Sequence, residues 1–101
     1  MQAIDVQTLK QKIDAKEDFV FLDVREPHEH EAASIAGAKL IPLATVPDHL
    51  EELQKAGKEI VIHCRSGARS GQAQAYLLDN GCENVTNVAG GILAWNQAFG
   101  A

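Results

Sequence analysis

The sequence predicts an α/β fold in which a central parallel sheet is flanked by helices on both faces. Apolar, β-rich runs alternate with helical patterns, the order that builds a parallel sheet from strand–helix–strand units. The longest of these runs are apolar almost without interruption, as expected for strands covered on both faces. The 101 residues contain no internal repeat and no linker-like segment, so residues 1–101 are expected to form a single domain.

The first half of the chain predicts two strands and two helices. Residues 5–14 place apolar side chains at helical spacing behind an aspartate, a good N-cap, and predict the first helix. Residues 19–24 (FVFLDV) predict a buried strand, and residues 38–43 (AKLIPL) predict a shorter one that ends at Pro42. Residues 47–57 begin with proline and end with glycine, the asymmetry that marks a helix.

The second half predicts two further strands, each followed by a helix. Residues 59–64 (EIVIHC) predict the third strand, and residues 70–81 predict the helix after it. Residues 84–91 predict a fourth strand that ends in two glycines, and residues 92–100 predict a short closing helix. In open parallel sheets, ligands bind beyond the carboxyl ends of the strands. Cys64 lies at that edge, between a strand and a helix.

Composition and charge exclude several classes of function. The 9 basic and 14 acidic residues give a formal net charge of −5, which argues against non-specific nucleic-acid binding because phosphate neutralisation needs a basic face. No stretch approaches the roughly 20 apolar residues of a membrane span, and the first residues lack a secretory signal. Two cysteines are too few for a disulfide framework. A reduced, cytoplasmic protein without cofactor, metal, nucleic-acid partner or membrane association is therefore expected.

The segment HCRSGARS, residues 63–70, carries the chemistry of the chain. A thiol is nucleophilic only as thiolate, and Cys64 would meet the free N–H groups and the positive dipole end of the following helix. Arg65 and Arg69 add fixed positive charge, and Gly67 allows a tight turn that directs backbone amides to one point. The segment predicts a nucleophilic cysteine that handles an anionic substrate or intermediate. The alternative is an exposed basic turn beside a cysteine that is merely buried.

Three segments of the chain form a set of motifs. They are residues 21–43 (FLDVREPHEHEAASIAGAKLIPL), 60–70 (IVIHCRSGARS) and 85–95 (VTNVAGGILAW). In this order they resemble the rhodanese, or sulfurtransferase, family of single-domain type, with its Asp-x-Arg-Glu strand end, its Cys-x4-Arg loop and its late Gly-Gly…Trp. Residues 33–35 are Ala-Ser-Ile where the family commonly has Gly-His-Ile, and His30 stands where an aromatic residue is common.

The resemblance implies a rhodanese-like fold and a catalytic domain that carries a sulfane sulfur on Cys64 as a persulfide. The sulfur would come from a donor such as thiosulfate and pass to cyanide, a thiol or a thioredoxin-like protein, with ping-pong kinetics. A carried sulfur needs no resolving cysteine. The persulfide would be held by the backbone amides of Arg65, Ser66, Gly67, Ala68, Arg69 and Ser70.

Several side chains around Cys64 have two interpretations. Arg65 and Arg69 are predicted to recognise the donor or to stabilise the thiolate. Arg69 alternatively points back to a carboxylate and braces the loop. The hydroxyls of Ser66 and Ser70 are candidates to donate hydrogen bonds to the persulfide, but Ser70 equally fits a residue that starts a helix.

Two other reactions remain as alternatives to donor-driven sulfur transfer. The cell-cycle tyrosine and dual-specificity phosphatases and the arsenate reductases have a similar fold and a Cys-x5-Arg loop. Here Arg69 is the fifth residue after Cys64, which gives Cys-x4-Arg. The smaller ring of amides suits one terminal sulfur better than a tetrahedral oxyanion, so sulfur transfer is favoured. A carrier module, loaded with persulfide by a protein partner, is the other alternative.

The remaining chemically active side chains are predicted to be structural. Asp23 and Arg25 are expected to form an ion pair or turn cap near residues 64–70, the active loop, with an indirect role. His63 is expected to project to the sheet face opposite Cys64 and to pack in the core. The two histidines of His28–Glu31 lack a third metal ligand, so a solvated loop near the site entrance is expected there. Packed positions are predicted for Cys82, Trp95 and Phe99.

Overall fold

Five parallel strands form the sheet of the computed structural model, which describes residues 2–100. The strands are β1 (Ala3–Ile4), β2 (Val20–Asp23), β3 (Lys39–Leu40), β4 (Ile60–His63) and β5 (Val85–Val88). Their order across the sheet is β1-β5-β4-β2-β3, and each neighbouring pair is parallel. The predicted parallel sheet is confirmed, with one additional strand. The apolar runs do not predict β1, because two residues of mixed polarity form no run.

Within residues 2–100, five α-helices and one 3-10 helix connect and cover these strands. They are α1 (Val6–Asp14), α2 (Pro27–Ala32), the 3-10 helix (Leu43–His49), α3 (Leu50–Gln54), α4 (Ala68–Asp79) and α5 (Gly91–Phe99). The helix predicted at residues 47–57 differs in its start, because Pro47 lies inside the 3-10 helix that leads into α3. Across residues 2–100, no helix combines the length and apolar character needed to cross a membrane.

The predicted loop at His28–Glu31 is wrong, because these residues lie in α2. Pro27 occupies the first turn, where its missing N–H costs nothing, and Glu26 and Glu29 form a capping box around the free N–H groups. No residue of α2 is fully buried, so the helix leaves no apolar stripe in the sequence. Within residues 2–100, no three His, Cys, Asp or Glu side chains are grouped as metal ligands.

Apolar clusters on both faces of the sheet hold the helices against it. One cluster joins alternate side chains of β2 and β4 to α3 and α4, and it includes Leu22, Ile60, Ile62, Leu53 and Leu77. The other joins the intervening side chains to α1 and α5, and it includes Phe21, Val61, Val6, Leu9 and Ile92. Because strand side chains alternate between faces, burial on both sides confirms the predicted layer of helices on each face.

Three side chains outside the active loop are predicted to be packed. Cys82 is 6% exposed and belongs to the apolar cluster between the sheet and helices α3 and α4, so it is packed as predicted. Trp95 is partly buried and packs against the apolar cluster between the sheet and helices α1 and α5. Phe99 is 40% exposed, so its predicted core position is wrong. It lies in the last turn of α5, where its ring meets Trp95 edge-on at a centroid distance of 4.7 Å.

The strand β4 occupies the centre of the sheet, and Cys64 follows its last residue. Asp23 of β2 pairs with His63, and Asn87 of β5 pairs with Ile62. Because parallel strands end at the same edge of a sheet, both neighbours deliver polar side chains to the edge that carries Cys64.

Candidate active site

The chain turns from β4 into α4 within three residues after Cys64. Arg65, Ser66 and Gly67 form this turn, and α4 begins at Ala68. Gly67 adopts a φ of +111°, a conformation that is open to glycine without strain. The turn directs the Gly67 N–H toward Cys64 Sγ, and the two heavy atoms are 3.1 Å apart.

Several hydrogen-bond donors face the Cys64 sulfur. Besides the Gly67 amide, Ser70 Oγ lies 3.3 Å from Sγ. Burial of this residue, which is 1% exposed, raises the pKa of the thiol. Hydrogen bonds from the Ser70 hydroxyl and from the amides of Ser70, Gly67 and Ser66 outweigh burial and lower the pKa below its ordinary value. The site therefore stabilises the thiolate, the nucleophilic form of cysteine, relative to a free cysteine in water.

Asn87 of β5 supports the loop from the neighbouring strand, and it is absent from the predicted site residues although it lies in the third motif segment. Its Nδ2 donates to the Gly67 carbonyl over 3.1 Å, and its Oδ1 lies 2.6 Å from Ser70 Oγ. Asparagine is depleted in strands. Its presence near the end of a largely buried strand is the signal that would have identified it.

Arg69 is held by a carboxylate from another element. Its Nη1 and Nη2 donate to Glu29 Oε1 and Oε2 over 2.7 and 2.9 Å, a bidentate pair between α4 and α2. The pair raises the pKa of Arg69 and lowers the pKa of Glu29 to about 2. This geometry supports the interpretation in which Arg69 braces the loop. Glu29 is absent from the predicted site residues, because only the fold brings α2 to this loop.

The outer side of the loop is formed by residues that face solvent. Ser66 and Ala68 are exposed, and so is Arg65. Arg25 and Arg69 each pair with a carboxylate, whereas Arg65 forms no ion pair with any residue from 2 to 100. An anion that approaches this loop therefore meets an uncompensated guanidinium at Arg65.

Asp23 and Arg25 form a buried ion pair at the end of β2, with Nη2 and Oδ2 2.7 Å apart. The same Nη2 donates to the Ala33 carbonyl over 2.7 Å, and His30 Nδ1 lies 2.9 Å from Asp23 Oδ2. Burial raises the pKa of Asp23, but hydrogen bonds from Arg25 and His30 lower it to about 2. The cluster ties α2 to the sheet edge and so positions Glu29.

His63 lies in the core, as predicted, and also contacts the active loop. Its ring is fully buried, 5.5 Å from the ring of Phe21 on the face away from Cys64. Its Nδ1 lies 3.1 Å from the Cys64 carbonyl oxygen, while Nε2, 3.8 Å from Asp23 Oδ2, has no hydrogen-bond partner within residues 2–100. Burial lowers the pKa of His63, so the neutral ring donates from Nδ1 to the backbone.

The N-terminus of α5 closes the loop from the other side. The amides of Ile92 and Leu93 donate to the carbonyls of Cys64 and Arg65 over 3.0 and 3.1 Å. This approach requires Gly91, because a Cβ there would come within 2.5 Å of both carbonyl oxygens, and its φ is +55°. The second glycine of the Gly-Gly pair is therefore explained by backbone contact with the active loop.

Comparison with known proteins places this arrangement in a family. The protein-family model of the rhodanese-like domain matches residues 5–98 of this chain. The chain belongs to the rhodanese-like family. A sulfurtransferase of Allochromatium vinosum is 41% identical over 92 residues, which are 91% of this chain and 85% of that protein. The thiosulfate sulfurtransferase GlpE of Pseudoalteromonas translucida is 33% identical over 84 residues, which are 83% of this chain and 79% of that protein.

A solved structure confirms the rhodanese-like fold. The rhodanese-like domain protein of Staphylococcus aureus superposes with a TM-score of 0.86 at 37% identity. The match covers 94% of this chain and 91% of that one. The fold class that the resemblance implies, a central parallel sheet with helices on both faces, is therefore confirmed by both the topology and a neighbour.

Proposed function

We propose that this chain acts as a single-domain thiosulfate sulfurtransferase, which moves a sulfane sulfur to a thiophilic acceptor through a Cys64 persulfide. The observation that carries the proposal is the set of hydrogen-bond donors that converge on Cys64 Sγ. The acceptor is cyanide in an assay, and a thiol or a thioredoxin-like protein in the cell. Both cysteines are free thiols, which fits the reducing cytoplasm, where we place the protein.

Loading begins when the Cys64 thiolate attacks the outer sulfur of thiosulfate. A new S–S bond forms, the S–S bond of thiosulfate breaks, and sulfite leaves with the bonding electron pair. Negative charge is conserved, because the thiolate charge moves to the outer persulfide sulfur and the dianion leaves as sulfite. The acceptor then attacks the outer sulfur, the persulfide bond breaks, and the thiolate returns.

The surrounding residues have separate parts in this proposal. Arg65 attracts the dianionic donor, because its charge is uncompensated. The amides from Arg65 to Ser70 hold the persulfide anion, whose outer sulfur extends about 2 Å beyond Sγ. Arg69, fixed by Glu29, keeps the loop in the shape that directs these amides inward.

Intact mass measurement tests the proposal directly. After incubation with thiosulfate the protein should gain about 32 Da, one sulfur atom, and should lose it on addition of cyanide. The Cys64→Ala variant should show no gain. The Cys82→Ala variant is the matched control and should load like the wild type, because Cys82 is buried and burial raises the pKa of its thiol.

Two other outcomes would replace the proposal. Loading by a cysteine desulfurase partner, without loading by thiosulfate, would make the chain a persulfide carrier. Turnover of an aryl phosphate without any sulfur gain would place it with the Cys-loop phosphatases and contradict both sulfur reactions.

A further inference from the structure

Two acceptors compete for the single hydroxyl proton of Ser70. Ser70 Oγ lies 3.3 Å from Cys64 Sγ and 2.6 Å from Asn87 Oδ1. Ser70 is fully buried. A serine hydroxyl carries one hydrogen, so it donates to one of these acceptors at a time and presents lone pairs to the other.

The orientation of the Asn87 amide is fixed by its second contact. Its Nδ2 donates to the Gly67 carbonyl over 3.1 Å, and a carbonyl oxygen accepts only from the NH₂ end of an amide. The Oδ1 end therefore faces Ser70 as an acceptor. Asn87 thus competes with the sulfur for the hydrogen bond from Ser70, while it also holds the carbonyl of Gly67, the residue whose N–H points at Sγ.

The charge of the sulfur decides which acceptor receives the hydrogen bond from Ser70. When Sγ is a thiol, its S–H can donate to Ser70 Oγ while Ser70 donates to Asn87, and all three groups are satisfied. When the thiol has lost its proton to water, Sγ is an acceptor only, and a hydrogen bond to an anion is stronger than one to an amide oxygen. The Ser70 hydroxyl then turns to the sulfur, and Asn87 loses its donor.

We propose that Asn87 is a positioning residue. It accepts the hydrogen bond from the Ser70 hydroxyl when Sγ is uncharged, and it loses this hydrogen bond to Sγ when the sulfur is charged. The consequence for catalysis rests on the proposed function. Loading moves the negative charge from Sγ to the outer sulfur, so Sγ becomes neutral and the Ser70 proton returns to Asn87. The Ser70–Asn87 hydrogen bond is present in the persulfide state and absent in the thiolate state. Asn87 therefore stabilises the loaded protein relative to the unloaded thiolate.

The pH dependence of Cys64 alkylation tests this inference without any sulfur donor. Iodoacetamide reacts with the thiolate, and intact mass reports the product in a Cys82→Ala background. In Asn87→Leu the Ser70 hydroxyl has Sγ as its remaining acceptor, so the alkylation midpoint should move to lower pH and the thiolate fraction below the midpoint should rise about three- to tenfold. The Arg69–Glu29 pair and the neutral His63 ring are unchanged in this variant.

The same substitution in a Ser70→Ala background should not lower the midpoint, because Asn87 competes with the sulfur only through Ser70. A purely structural Asn87 would give the opposite sign, since loss of its bond to Gly67 would loosen an amide that stabilises the thiolate. A midpoint that rises in Asn87→Leu, or an equal fall in the Ser70→Ala background, would overturn the inference.

A second variant applies if Asn87→Leu does not give a folded protein by circular dichroism. Asn87→Asp keeps the shape of the side chain and holds the Ser70 proton more tightly, so the midpoint should rise further with Ser70 present than in the Ser70→Ala background. Equal rises in the two backgrounds would contradict a role through Ser70. Because these titrations use no thiosulfate, a protein that shows the shifts but never loads sulfur would refute the proposed function and leave the role of Asn87 intact.

Discussion

The two arginines of the active loop stand four residues apart and have different surroundings. Arg69 engages both oxygens of Glu29, so its charge is compensated within about 3 Å. Arg65 is exposed and forms no ion pair with residues 2–100. At the scale of single residues, we therefore propose that Arg65 attracts the donor and that Arg69 maintains the shape of the loop.

Replacing each arginine by alanine should separate these parts. Arg65→Ala should reduce kcat/KM for thiosulfate about tenfold, because one unpaired charge that faces a dianion is lost. It should change kcat/KM much less for a small alkyl persulfide, which carries at most one negative charge. Arg69→Ala should reduce kcat/KM for both donors to a similar degree, since Glu29 loses its partner and the loop loses its brace. Steady-state kinetics with the two donors measure this, and an equal loss in Arg65→Ala would contradict donor recognition.

The active loop is assembled by three elements that arrive from different parts of the chain. The helix α4 continues the loop, α2 supplies the carboxylate that holds Arg69, and α5 supplies two amides to the loop carbonyls. The contact with α5 is close because Gly91 has no Cβ. At the scale of elements, the position of the loop depends on this approach of backbone to backbone.

A methyl group at Gly91 should therefore destabilise the fold more than one at another glycine of positive φ. Gly37→Ala is the matched control, because Gly37 has a φ of +93° and a Cβ added there would meet nothing within 4 Å. It should lower the free energy of unfolding by about 1–2 kcal/mol through backbone strain alone. Gly91→Ala should lower it by about 3 kcal/mol or more, since contacts of 2.5 Å must be relieved as well. Urea unfolding measures both changes, and equal losses would show that the close approach has no energetic weight.

The elements differ in how well the sequence predicts them. Apolar runs predict four strands and the Cys-x4-Arg loop predicts the nucleophile, because these signals are local. The partners of the loop are not local: Glu29 lies 40 residues from Arg69, and Asn87 lies 17 residues from Ser70. Their proximity follows from strand order and register, which apolar patterning leaves open. The helix α2 escapes prediction for a different reason, since it buries no side chain fully.

At the scale of the whole molecule, ionised carboxylates hold the edge of the sheet together. Asp23 and Glu29 each have a pKa of about 2, because Arg25 and Arg69 donate hydrogen bonds to them. A carboxyl group whose pKa falls on folding stabilises the native state above its unfolded pKa, and this stabilisation is lost as the pH falls through its folded pKa. The sheet edge should therefore loosen in acid.

Substitution of Glu29 by glutamine should show this dependence. Near neutral pH, Glu29→Gln should lower the free energy of unfolding by about 1 kcal/mol, once solvent screening of this partly exposed pair is allowed for. The difference from wild type should shrink as the pH falls from 4.5, the ordinary pKa of a glutamate, to about 2, its pKa here. Glu51→Gln is the control, because the pair of Glu51 with Lys55 is exposed on α3 and should contribute little at any pH. A gap that stays constant down to pH 2 would show that the Glu29–Arg69 pair does not couple folding to protonation.

The sulfur is attached to the end of β4, the middle strand, whose two edges are both hydrogen-bonded to neighbours. A middle strand cannot shift without disturbing both neighbours, so the centre of the sheet fixes the position of Cys64. The helix α2, in contrast, buries no side chain fully and is held by polar contacts. The position of the sulfur is therefore encoded in the centre of the sheet, and the shape of its surroundings in α2. Sequence drift or engineering can reshape α2 around Glu29 and His30 while the position of the sulfur is inherited unchanged.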